Sequence, residues 1–229
     1  MRHQQKRASG DVVTGQGPAE AGHDVRLVTA TLAVRSYDVD QQSELELVGR
    51  VREGDAAAFD AVYAMFNARL FGFLARLTRS RHEAEDLAEE TWLRFVANAR
   101  RLSADTRLGP WLFTVARNVH VSYCRSRALD DRRTSEAIGL WPSVSCESPF
   151  ESAAATELEQ RIESAFASLP IVYREVLLLV GVEGLRPAEA ASVCGITPDA
   201  LRQRLKRART LLADRLEGAV PRRRYANER

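Results

Sequence analysis

Apolar residues in this chain recur at intervals of three and four, with no alternating stretch. Phe59, Val62, Tyr63, Phe66, Leu70, Phe73, Leu74 and Leu77 form one series. Ala84, Leu87, Ala88, Thr91, Trp92 and Phe95 form a second, and Trp111, Leu112, Val115, Ala116, Val119 and Tyr123 a third. Each series lies along one stripe of an α-helix, whereas a half-buried strand would need strict alternation. The expected fold is therefore all-α. The punctuation agrees. Ser43 and Glu46 form an S-x-x-E capping box that opens a short helix, and Gly54 ends it. Asp55 suits the N-cap of the next helix, a third covers about 81–100, and Pro110 suits the first turn of a fourth, about 110–127.

Over 128–155 the period is lost, and Gly139, Pro142, Pro149 and several serines mark a linker. A second helical block follows. Residues 155–168 carry Leu158, Ile162, Ala165 and Phe166. The apolar run 171–182 could suit a buried strand, but its length and helical neighbours favour a helix. Pro187 opens a short helix to 194, and Pro198 a long one to 217. The expected organisation is a disordered tail (1–40), a helical unit (41–127), a flexible linker (128–155), a second helical unit (156–219) and a basic tail (220–229).

With 45% hydrophobic and 28% charged residues in 229, enough for one or two small domains, the chain can build a core and stay soluble. Cys124, Cys146 and Cys194 are odd in number, far apart and outside any CxxC, as in a reduced, cytoplasmic protein. His3, His23, His82 and His120 make no metal-ligand spacing with them, so neither metal nor cofactor is expected. His82 and His120 are expected at the surface. No apolar run approaches the roughly 20 residues of a membrane span, and no secretory h-region is visible. No nucleophile–base pair or phosphate loop supports an enzyme.

The net charge of +2 says little, but its distribution says more. Residues 83–90 (EAEDLAEE) hold five acids and no bases; residues 199–215 hold six bases against two acids. In 187–209 a helix, a tight turn at Gly195 and a second helix make a helix-turn-helix. Ala191 is small enough to let the helices cross closely, and Leu201 and Leu205 anchor the second helix. Asp199, Arg202, Gln203, Lys206, Arg207 and Arg209 point away from that anchor, a face able to enter a major groove. A solvated basic helix in an ordinary bundle fits the same pattern. On the fourth helix, Arg117, Val121 and Arg125 recur opposite the apolar face, with Phe113 and Asn118 nearby. Asn can pair with base edges and aromatics can stack on bases, and the loop 101–109 could hold a splayed base. The carboxylates Glu83, Asp86, Glu89 and Glu90 lie on one face of the third helix, where a protein interface or plain solvation both fit.

Together, FDAVYAMFNARLFGFLARL, EAEDLAEETWLRFV and WLFTVARNVHVSYCRSR resemble region 2 of the extracytoplasmic-function (ECF) sigma factors of the sigma-70 family. The stretch LEQRIESAFASLPIVYREVLLLVGVEGLRPAEAASVCGITPDALRQRLKRARTLL resembles their region 4. The resemblance covers about 59–127 and 158–212. It implies a transcription initiation factor whose partners are the RNA polymerase core and promoter DNA, with an anti-sigma factor common in the family. It implies that Glu85, Asp86, Glu89 and Glu90 dock on the clamp helices of the polymerase largest subunit. It implies that Asn118 and the loop 101–109 capture bases of the −10 element while Arg117 and Arg125 hold the strand backbone. The −35 element would be read by Arg202, Gln203, Arg204 and Lys206, and the linker would occupy the RNA exit path. Some positions depart from the family pattern. Ser122 stands where an acid is frequent, Ala190 replaces a larger aliphatic residue, and the loop 101–109 lacks the frequent aromatic.

Other readings are a stand-alone helix-turn-helix regulator and a protein-interaction adaptor. The first accounts for 187–209 but not for the acidic helix or the second nucleic-acid face. An adaptor would tolerate charge reversal at Arg202 and Lys206, which a promoter reader would not.

Overall fold

The computed structural model of the protein describes residues 41–135 and 157–218. The expected tails and most of the expected linker, with Cys146, lie outside these residues. All regular structure among the described residues is helical: α1 (Gln41–Glu53), α2 (Ala56–Thr78), α3 (Arg81–Asn98), a 3₁₀ turn (Ala99–Arg101), α4 (Leu108–Ser135), α5 (Glu157–Ala167), α6 (Ile171–Leu177) continued by a π turn (Leu178–Val182), α7 (Pro187–Cys194) and α8 (Pro198–Gly218).

In the N-terminal unit, α2 packs on α3 and both pack on α4, while α1 closes the end beside the 3₁₀ turn. Val62, Phe66, Leu70, Phe73 and Leu74 of α2 are buried with Ala84, Leu87 and Phe95 of α3 and Leu112, Ala116 and Val119 of α4. Each large aliphatic or aromatic side chain so buried contributes about 1.5–3 kcal/mol. Asp55 caps α2 by accepting from the amides of Ala57 and Ala58, and Gly54 takes φ +86° in the turn before it. Tyr63, grouped with the buried stripe in the sequence, is 49% exposed: it sits at the stripe's edge, its ring 4.9 Å from Trp92.

Three further expectations change here. α1 begins at Gln41, so Ser43 lies inside the helix and no capping box forms there. Its first turn instead supplies Glu44, buried, which accepts from the backbone amides of Leu108 (2.7 Å) and Gly109 (3.4 Å) and from Arg107 Nε (3.0 Å). A residue 64 positions away thus satisfies the start of α4, a partner that local pattern cannot reveal. α4 runs on to Ser135, so the first residues assigned to the linker continue the helix. Phe113 is fully buried, edge-on to Phe73 at 5.3 Å, and is not part of an exposed face.

In the C-terminal unit, α6 and α7 pack against α8, and α5 lies across α8. Ile162, Ala165 and Phe166 are buried as the spacing predicts, but Leu158 is 58% exposed. It lies in the first turn of α5, before the helix reaches its neighbours. The run 171–182 is helical, and its second half widens into the π turn with Leu178 and Leu179 fully buried. Gly195 adopts φ +64°, the left-handed conformation that ends α7. Thr197 then caps α8 by accepting from the Ala200 amide at 3.2 Å.

Candidate nucleic-acid interface

Two helices carry the residues that sequence pointed to. On α8, Leu201, Leu205, Ala208 and Leu212 face the core, so the helix is clamped along one stripe. Arg202, Gln203, Lys206, Arg207 and Arg209 consequently stand in solvent, and Arg204 is half-buried beside them. Arg202 pairs with Asp199 one turn earlier. Pairs this exposed contribute at most about 1 kcal/mol and give way readily to a phosphate or base edge. The helix-turn-helix therefore presents an open cationic face at the start of its second helix, the geometry that major-groove reading uses.

On α4, Asn118 and Arg125 are exposed. Arg117 is not gathered with them. Its guanidinium turns toward the C-terminal unit and pairs with Glu175 of α6 at 2.5 Å, with the Arg117 side chain 22% exposed and Glu175 9%. The loop before α4 is short and structured. Leu102 is buried, Thr106 N donates to Ser103 O at 3.1 Å, and Arg107 is held by Glu44. Ser103 and Asp105 are exposed and hydrogen-bonded to each other.

His120, expected at the surface, is 4% exposed. It sits one turn beyond Ala116 on the inner side of α4, with Cys124 Sγ 3.5 Å from its Nε2. Burial, then the positive charges of Arg174 and Arg117, push its pKa down to about 4, against a smaller opposing effect of Glu83. Cys194 is likewise buried, and burial with nearby Glu175 pushes its thiol up to about 12, which leaves it unreactive.

A third face lies on the outside of α3. Glu85, Asp86 and Glu89 are exposed and Glu90 is half-buried. Glu85 pairs with Arg81 at 2.9 Å and Glu90 with Arg94 at 2.7 Å, each one turn along the same helix. Two residues the sequence reading missed share this helix: Leu93 and Val96 are 58% and 59% exposed. Their signal was available, since both fall off the stripe that runs through Thr91 and Phe95. Carboxylates flanking exposed aliphatics are what a protein-docking surface offers. Among the described residues no group of His, Cys, Asp and Glu could hold a metal ion, and no helix is long and apolar enough to cross a membrane.

A two-unit helical protein with a helix-turn-helix, a second polar helix face and a helix face of carboxylates and exposed aliphatics fits the class of DNA-binding transcription proteins. Comparison with known proteins narrows this. The family model described as sigma-70 region 2 matches residues 62–129, and that described as sigma-70 region 4 matches residues 159–212. The ECF RNA polymerase sigma factor SigM of Bacillus subtilis is 30% identical over 153 residues, covering 67% of this chain and 91% of SigM. ECF RNA polymerase sigma factor EcfG of Rhodopseudomonas palustris is 33% identical over 144 residues, covering 63% of this chain and 77% of EcfG. Among solved structures, the sigma factor RpoE from Bartonella quintana, crystallised with the anti-sigma factor NepR, superposes with a TM-score of 0.60 at 26% identity. That match covers 69% of this chain and 96% of RpoE. The chain belongs to the ECF sigma factors of the sigma-70 family, and so is a promoter-recognising RNA polymerase sigma factor.

Proposed function

We propose that residues 41–127 work as region 2 and residues 156–219 as region 4, joined by a connection whose first residues extend α4 to Ser135 and whose remainder lies in the RNA exit path of the polymerase. Glu85, Asp86, Glu89 and Glu90 dock on the clamp helices of the polymerase largest subunit, with Leu93 and Val96 adding apolar contact beside them. Asn118, with the loop 101–109, captures bases of the −10 element as the duplex melts, while Arg117 and Arg125 hold the strand backbone. Arg202, Gln203, Arg204 and Lys206 read the −35 element. The protein works in the cytoplasm, does no bond-making itself and leaves chemistry to the polymerase. An anti-sigma factor is a further partner, by analogy with the RpoE complex.

The observation that carries this reading is the pairing of an open basic recognition helix with a separate acidic–apolar helix in one chain. A stand-alone regulator has no use for the second. The test of the melting role compares wild type and Asn118→Ala on duplex and on pre-melted promoters with core polymerase. The expected outcome is a defect on duplex DNA that largely disappears on the pre-melted template, with core affinity unchanged. An equal loss of core binding and of open-complex formation would remove the role given to Asn118.

A further inference from the structure

We propose that Glu44 is a positioning residue for capture of the −10 element: from α1 it holds the loop 101–109 and the start of α4 in the shape that accepts a base. This rests on the base-capturing role given above to that loop. Arg107 occupies the N-cap position of α4, since its carbonyl accepts from Trp111 N at 3.1 Å. An arginine side chain has no acceptor, so it cannot cap the helix itself. Glu44 supplies what is missing and uses both of its oxygens. Oε1 accepts from the amides of Leu108 at 2.7 Å and Gly109 at 3.4 Å, and Oε2 accepts from Arg107 Nε at 3.0 Å. A carboxylate also suits the positive end of the helix dipole. The same helix secures the other end of the loop. α1 packs on the 3₁₀ turn, with Val48 and Val51 fully buried, and Leu102 is buried directly after that turn, its amide donating to Ala99 O at 3.3 Å. Between Leu102 and Leu108, Thr106 N donates to Ser103 O at 3.1 Å, and only Ser103, Ala104 and Asp105 are exposed.

A preset loop matters here because of what its tip lacks. Ser103, Ala104 and Asp105 offer no aromatic face, so they cannot hold a base by stacking, which is tolerant of base identity. Hydrogen bonds weaken steeply once distance and angle leave their optimum. A tip limited to a hydroxyl and a carboxylate therefore discriminates between bases only if its backbone is already fixed when the strand arrives. Fixing it in advance also removes an ordering cost from binding. Leu108 and Asn118 lie about 15 Å apart along α4, so the loop and Asn118 meet different bases. Glu44 serves the first of these contacts alone.

The test uses the full-length chain with core polymerase and pre-melted promoters that carry each base in turn at every −10 position. Glu44→Ala removes the acceptor, whereas Glu44→Gln keeps an amide oxygen for the Leu108 amide. Glu44→Ala should lose about tenfold in base discrimination at one −10 position. Core affinity, and discrimination at the position affected by Asn118→Ala, should stay within about twofold of wild type. Glu44→Gln should retain most of the discrimination. In the free protein, hydrogen exchange at the amides of Leu108 and Gly109 should speed up in Glu44→Ala by more than it does in the core of α2. Unchanged discrimination in Glu44→Ala, equal losses at every −10 position and in core affinity, or loop amides that exchange no faster than the core would each overturn the role. The variant Ser103→Ala with Asp105→Ala separates this from the reading beneath it. If that variant loses discrimination and Glu44→Ala does not, the loop reads a base without help from Glu44. If neither loses it, the loop reads no base, which removes the positioning role with it.

Discussion

His120 shows how one side chain ties fold to pH. It is buried without charge, with a folded pKa near 4 against an ordinary 6.5. The depressed value means the folded state binds its proton less readily than the unfolded chain does. Its contribution is therefore fully present above about pH 6.5 and is lost as pH falls toward 4, to the extent of about 3 kcal/mol. Urea unfolding of wild type and His120→Gln between pH 7 and pH 4 should show wild type losing more stability by about that amount; parallel pH profiles would mean the imidazole is not buried as described. Glu44 acts at the same scale. Glu44→Ala leaves two amides at the start of α4 without an acceptor and should cost about 1–3 kcal/mol in urea unfolding. Neither residue was legible in the sequence. His120 falls on the stripe one turn past buried Ala116, but how deeply it is buried depends on what packs over that end of the helix, and the Glu44 contact spans 64 positions of chain.

The elements were far easier to read, because helical period and capping are local. Asp55, Gly54, Gly195 and the two prolines at 187 and 198 all do in the fold what their chemistry suggests. The recognition helix was legible for the same reason: Leu201 and Leu205 define the buried stripe, and the polar face follows by geometry. What failed lay at stripe edges and helix ends, where Leu158 and Tyr63 are apolar but outside the packing, and Ser43 caps nothing. At this scale the account predicts that Arg202→Glu with Lys206→Glu abolishes selective initiation at promoters that depend on the −35 element. Core affinity should stay within about twofold, since those side chains are solvated and the exposed pair of Arg202 with Asp199 contributes little. Abortive-initiation assays beside a core-binding titration check this. Retained −35 selectivity would move the reading function off α8.

At the scale of the whole molecule, the sequence announced two helical blocks but not how they meet. Arg69, Arg76, Arg107 and Arg117 look like scattered surface cations in the chain, and only packing places each against a glutamate of the other block. Arg117 is where the two levels meet, since a residue assigned to nucleic acid by pattern pairs with Glu175 of the C-terminal unit. The central claim is that this chain turns core polymerase into a promoter-selective enzyme. The most direct measurement is transcription from a randomised promoter library by purified core polymerase with and without the protein. The account predicts start sites that appear only when it is added and that share two motifs at constant spacing. Initiation unchanged by its addition, or new starts with no common upstream sequence, would contradict it.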